Sequence, residues 1–400
     1  MLPILIILGV AGFAVGGQIN RAIYRWAWNQ RAISPWSTAP EGVAARTWAD
    51  RVPVFGWWPM RRESKVHGTA FWLRPMMIEL AFGIGLAALY WWEVGVMGWE
   101  MSRFCAHAIL FALMMIATFI DFDEKTIPDF VTVPGTIIAL LFAAFLPSSL
   151  PPVPPMPMGP VPPMPMGPVL TTTPFEWPIW LDGVKGLGIG LACWFAWCAA
   201  LLPRTVYFRR GIVKGFQFLS ASLVRFPVSK WIGVMSLVGA STISAVWFAM
   251  SGTMNWQTLL SSLIAMAAVG GFVWAIRIVV SVAMGMEAMG FGDVTLMAMV
   301  GAFLGWQAGI MSFFAAPFVS FFLIIAIVLL TGSNQVPFGP MLCMGTAVVA
   351  VQWDPVWNTA GQYFKLGPIV PVGLAVLVAL MGISMGFIQI LKRILGYDRY

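Results

Sequence analysis

Charge is scarce in this chain: 10% of its 400 residues are Asp, Glu, Lys or Arg, while 60% are hydrophobic. A domain dissolved in water could not cover itself with so few charges, so the composition excludes a soluble globular protein and points to one embedded in lipid. Cysteine and histidine are scarce too, at four and two residues. Cys105, Cys193, Cys198 and Cys343 fall within or at the ends of apolar runs, where a small soft side chain packs readily, and none forms a C-x-x-C pair. His67 and His107 have no second His or Cys at ligand spacing, so no metal site is expected. The net charge of +7 is assigned to anchoring on anionic lipid, and no nucleic-acid partner is expected.

What is present is length and apolarity. Runs of the size a bilayer core demands, about 17 to 25 residues, occur near 2–20, 76–97, 104–120, 130–146, 183–202, 231–250, 257–280, 294–311, 312–331, 338–353 and 367–391. The expected fold is therefore all-α, a polytopic bundle of about eleven membrane helices, and the 21 Trp residues fit aromatic belts at its two interfaces. Basic residues orient it. Nine lie in 20–75 (Arg21, Arg25, Arg31, Arg46, Arg51, Arg61, Arg62, Lys65, Arg74) against three acids, and six lie in 203–230 against none. The stretch 147–178 has neither Lys nor Arg. One alternation of sides satisfies these loops, with the N-terminus outside and 20–75, 203–230 and the tail after 391 in the cytoplasm. The first run lacks a basic segment before it and is read as a retained helix rather than a cleaved signal.

Two stretches between the spans stand apart. The octapeptide PPMPMGPV occurs at 154–161 and again at 162–169, and proline, with φ locked and no donor, predicts an extended external spacer there. Residues 205–231 mix aromatic and basic side chains and are expected along the inner headgroup surface as an interfacial helix or hairpin.

Acids at a membrane edge are costly to desolvate and mark functional sites. In FIDFDEKTIPDF, 119–130, Asp121, Asp123, Glu124 and Asp129 cluster at the inner end of the third span. Glu287 and Asp293 stand in GMEAMGFGDVTLMAMVGAFLGW, on the same side. On a third helix continued to Pro128, Asp121, Glu124 or Lys125, and Pro128 would share a face, with Asp123 turned about 200° away. That leaves Asp121 and Asp123 as alternatives. Gly290 and Gly292 before Asp293 lack the Cβ that would hold another backbone off the carboxylate, although Asp293 also suits a helix N-cap. Two carboxyls converging in a partly dry site have proton affinities pushed apart, so one can serve as base for a water while its protonated neighbour polarises a carbonyl.

At these residues the chain resembles the type IV prepilin leader peptidases, membrane aspartic proteases of the GxGD type. ATFIDFDEKTIPDFVTVPG (117–135) is similar to the family's I-D-x-x-x-x-x-I-P-D block, AMGFGDVTLMAMVGAFLGW (288–306) to its G-x-G-D-x-x-L block, and VPFGPMLCMGT (336–346) to its P-F-G-P helix start. GGQINRAIYR (16–25) and the stretch 49–80 resemble the family's N-terminal domain. The resemblance implies Asp121 and Asp293 as the catalytic pair, with Asp129, Pro128, Gly290, Gly292, Glu287, Pro337 and Gly339 as supporting or substrate-site residues. It further implies cleavage of a basic leader after Gly from prepilins or pseudopilins at the cytoplasmic face of a bacterial inner membrane. Proteolysis of this kind needs no cofactor. S-adenosylmethionine enters only where the methyltransferase activity of bifunctional members is retained, and the cysteine-free loop departs from members that carry two C-x-x-C pairs. The implied organisation is an N-terminal-like domain over 1–100, a peptidase domain over 104–353 with an inserted loop and extra helix pair at 147–256, and a C-terminal helix and tail over 354–400. The G-x-G-D archaeal preflagellin peptidases and presenilin-like enzymes lack the N-terminal match. An ion-coupled transporter, expected to carry repeated halves and acids near the midplane, and an inactive assembly scaffold are the competing readings.

Overall fold

The computed structural model describes residues 1–154, 167–202, 225–287, 289–331 and 337–395, together with residues 217 and 221. All regular elements among them are helices. Most of the proline repeat, and the interfacial segment up to residue 224 apart from two positions, lie outside the described residues.

The chain opens with α1 (Leu2–Trp26), with Pro3 in its first turn, where a missing N–H costs nothing. An irregular segment with short helical turns leads to α2 (Leu73–Tyr90), which runs on into a π-helical turn at Trp91–Val96. Gly12 and Gly16 of α1 let the two helices touch closely. A Cβ on either would lie 2.7 Å from a Cα of α2, that of Gly83 or Glu79. Such small-residue contacts are how helices pack where lipid offers no hydrophobic drive.

Next come α3 (Met101–Glu124), α4 (Asp129–Phe145), α5 (Val184–Ala200), α6 (Pro227–Met250) and α7 (Met254–Met284). They are followed by α8 (Phe291–Thr331), α9 (Phe338–Val351), α10 (Trp353–Phe364) and α11 (Ile369–Ile394). Seven described helices, α1, α2 with its π turn, α3, α6, α7, α8 and α11, are long and apolar enough to cross a membrane, and α4, α5 and α9 are shorter apolar helices. Each expected run falls on one of these. The runs 294–311 and 312–331 share α8, which breaks at Gly305 (φ 84°, ψ 165°) rather than near 311. Glycine alone takes that conformation cheaply. At the break, Trp306 Nε1 donates to the Thr171 carbonyl and Gln307 Nε2 to that of Leu170, so the end of the proline-rich loop is seated there. The two arms then return to one end of the bundle, since Asp293 and Pro337 line the same hollow.

The first arm of α8 is the axis of the core: 89% of the most apolar stretch of α8 is buried, against 6% in α11 at the rim. It packs on α7, α9 and α4, while α11 leans on α7. At the proline-loop end, Glu93 in the π turn meets His107 of α3 at 2.5 Å, both buried. Arg103, also buried, donates to the Leu150 carbonyl and lies over Trp99.

At the opposite end, residues 27–72 fold on buried charge pairs. The Arg46 guanidinium grips Glu63 through two bonds of 2.9 and 2.6 Å and donates to the carbonyls of Ala32, Ser34 and Ser37. Arg62 forks onto Asp50 at 2.7 and 2.6 Å, and that hydrogen bond holds the Asp50 carboxyl below the usual carboxylate range. Glu79 of α2 is fully engaged, accepting from Val54 N, Trp57 Nε1 and Asn20 Nδ2. Cys105, Cys193, Cys198 and Cys343 are all free thiols. No cluster of metal-binding side chains exists among the described residues.

Candidate active site

Two chain reversals build the site. The first ends α3. Lys125 takes the left-handed conformation (φ 54°), so the helix stops at Glu124 and does not run on to Pro128, as the spacing alone suggested. Asp121 is left in the last turn of α3, Pro128 caps α4, and Asp129 is the first residue of α4. The second reversal joins α7 to α8 through Gly285, also left-handed. Asp293 then falls in the first turn of α8, two residues beyond its start, rather than at the N-cap. Its carboxyl accepts a hydrogen bond from the backbone of Gly290. This is the reach-back of a capping box, in which the third residue of a helix satisfies the N–H at the cap.

Asp121 and Asp293 line one hollow of about 790 Å³ with Asp129, Glu287, Gly290, Gly292, Pro337 and Phe338. Asp121 and Asp293 are buried, the residues being only 5% and 7% exposed, whereas Asp129 and Glu287 are exposed. The Gly339 N–H donates to Asp121 Oδ2 at 3.1 Å, so the start of α9 orients the first acid. Side chains from α3, α4, α8 and α9 and the links between them thus converge at the end of the bundle that carries the basic segment 27–72.

The three glycines differ in what they face. A Cβ on Gly292 would lie 2.8 Å from Ile127 Cβ and 2.9 Å from its carbonyl oxygen, so the protein's own linker occupies that space. On Gly339 it would lie 2.6 Å from Asp121 Oδ2. Gly290 meets nothing nearer than 3.7 Å, and the opening expected beside the acid is found only there.

The remaining acids are largely engaged elsewhere. Asp123 pairs with Arg74 at 2.7 Å, and Arg74 also donates to the Phe119 carbonyl. The Glu124 carboxylate accepts the Trp28 and Asn29 N–H groups at 2.7 Å each. Glu287 pairs with Arg277 at 2.8 Å. Asp123 and Glu124 face a neighbouring hollow, of about 1030 Å³, shared with Arg25, Trp28 and Asn29. Of the two acids left open by helical spacing, Asp121 enters the hollow with Asp293 and Asp123 does not. The clamp on Glu124 and the role of Glu79 were not foreseen. Their partners lie 22 to 96 residues away in sequence, and no local spacing announces them.

Sequence comparison adds the following. Residues 227–325 match the type IV leader peptidase family and residues 10–93 the bacterial peptidase A24 N-terminal domain. The first match contains Asp293 but not Asp121, and it begins at residue 227, within the stretch 147–256 that the sequence suggested as an inserted loop and extra helix pair. A protein of Myxococcus xanthus described as a prepilin leader peptidase/N-methyltransferase is 27% identical over 34% of this chain and 40% of its own length. One of the same description from Aeromonas hydrophila is 34% identical over 21% of this chain and 28% of its own. The chain thus spans less than half the length of the curated relatives it matches. No solved structure matches it. The resemblance to type IV prepilin leader peptidases holds by these matches at both the N-terminal and the peptidase regions.

Proposed function

We propose that this chain, a relative of the type IV leader peptidases by sequence, is a membrane aspartic endopeptidase that removes a basic leader after Gly from prepilins or pseudopilins at the cytoplasmic face of a bacterial inner membrane. The observation that carries this reading is the meeting of two buried acids, Asp121 and Asp293, in one hollow at the end of the bundle bearing the basic segment.

The chemistry needs only these two groups and a water. An ionised carboxylate takes a proton from the water as its oxygen attacks the carbonyl carbon of the scissile peptide. The protonated partner donates to the carbonyl oxygen, where negative charge develops. As the C–N bond breaks, the proton gained by the base passes to the leaving amine. The Gly339 N–H fixes Asp121 and the Gly290 backbone fixes Asp293, so neither has to be ordered during reaction. With Glu287 paired to Arg277 and one of the catalytic pair protonated, Asp129 is the exposed acid of the hollow that a basic leader would meet. The apolar helix that follows the leader would stay in the bilayer and so set the depth of the cleaved bond.

The relatives' description also names an N-methyltransferase, in which S-adenosylmethionine would supply the methyl group. The neighbouring hollow offers the exposed Trp28 ring, but Arg25 also lines it, Asp123 is paired with Arg74 and Glu124 holds the Trp28 and Asn29 N–H groups, so its residues do not fit a cationic sulfonium. Incubating the purified protein with a prepilin-like peptide, with and without S-adenosylmethionine, and weighing the products separates the two activities. Cleavage after Gly supports the first reading. An intact peptide, from protein shown to be folded, contradicts it. An added methyl on the new N-terminus supports the second.

A further inference from the structure

A third, drier hollow of about 580 Å³ runs between α2, α3 and α9 on the side of the bundle. Its wall is almost wholly apolar. Along α3 it is lined from Ala108 to Phe119, a run of about 16 Å at 1.5 Å per residue. On α2 it is lined by the exposed small residues Ala81, Gly85 and Ala88 beside the larger Phe82, Leu86 and Leu89, and a Cβ on Gly85 would meet nothing within 4 Å.

The direction of this groove distinguishes it from ordinary lipid-facing surface. Met114 and Thr118 line it, and Asp121 lies seven and three residues further along the same face of α3. On α9, Val351, Ala347 and Cys343 line it, and Gly339, whose N–H holds Asp121, is the next position in that row. Both rows therefore run from the groove to the acid pair.

We propose that this groove seats the apolar helix of the substrate, with Ala81, Gly85 and Ala88 along α2 admitting the helix backbone and the groove's end nearest the acids delivering the preceding peptide bond to Asp121 and Asp293. Small residues in a row let one membrane helix approach another closely, and a helix laid here would need no polar partner along its length. This inference rests on the peptidase reading, and it names where that substrate binds.

The test is photo-crosslinking in the full-length Asp293→Asn protein, which keeps the substrate intact. A benzoylphenylalanine replaces Phe111 in the groove wall or Val376 on the exposed face of α11. The probe is a synthetic peptide with a short basic leader ending in Gly, followed by an apolar helix of about 20 residues. A photoproduct with the probe at Phe111 and none at Val376, suppressed by excess apolar helix lacking the leader, is expected. No product with the probe at Phe111, products there with lipid alone or with a second copy of the chain, or equal labelling at both positions, would overturn the proposal. Met115 in the same wall repeats the test if the Phe111 variant fails to fold. Crosslinking requires no cleavage, so its failure is distinct from cleavage surviving in the aspartate variants, which would refute the peptidase reading.

Discussion

Gly339 and Gly290 border the same pair of carboxylates but face different neighbours. A methyl group on Gly339 would fall 2.6 Å from Asp121 Oδ2, so the carboxyl or the start of α9 must move. Gly339→Ala is expected to lower kcat at least tenfold while the protein remains in the membrane. Gly290 has open space, so Gly290→Ala should leave the melting temperature unchanged and raise KM, because the added methyl intrudes where the substrate backbone approaches. Steady-state kinetics with a prepilin-like peptide read both effects, and a Gly339→Ala enzyme with unchanged kcat would contradict the orienting role of its N–H. Asp293 shows why the choice of substitution matters. It also holds the cap of α8, and Asn keeps an oxygen able to accept the Gly290 bond while losing the titratable proton, so Asn separates the chemistry from the fold.

At the scale of elements, buried ion pairs hold the cysteine-free segment 27–72. Asp50 is buried against Arg62 and held below its ordinary value, about 3.9 for a free Asp side chain. A carboxyl depressed in this way contributes in full above that value, and the contribution disappears as pH falls through the folded value. The melting temperature of Asp50→Asn should therefore lie below that of the parent by a constant margin near neutral pH, and the margin should shrink below about pH 4. A margin unchanged down to pH 3 would mean that the charge of Asp50 contributes nothing. The π turn after α2 carries a second buried pair. Removing Glu93 leaves the buried His107 ring nitrogen without its hydrogen-bond partner, so Glu93→Ala should cost about 1–3 kcal/mol, read as loss of folded protein on heating in detergent. Replacing Val96 or Trp91 in the same turn with Ala leaves the pair intact and should cost less.

For the whole molecule, the spans were readable because lipid enforces one length and one composition. The break at Gly305 was not, since the apolar run continues across it and one glycine in such a run carries no distinctive signal. The helix at Trp353–Phe364 escaped as well, being short and mixed in polarity. The acid site was half legible. Membrane-edge carboxylates attract notice by their cost, but spacing left Asp121 and Asp123 as alternatives, and it was the resemblance of two sequence blocks to a family that implied Asp121 and Asp293. The hydrogen bonds that divert Asp123 and Glu124, by contrast, come from residues 49 and 95 or more positions away. The buried Glu79 and Glu93 networks were hidden for the same reason, since partners brought together only by packing leave no pattern along the chain.

The account's central claim is that the two carboxyls work as one unit. Its most direct test is product mass measured over time for four purified, folded proteins: the parent, Asp121→Asn, Asp293→Asn and the double variant. Groups acting as a unit are strongly non-additive, so each single change should abolish cleavage as completely as the double. Cleavage persisting in either single variant, or two partial losses that multiply in the double, would contradict it.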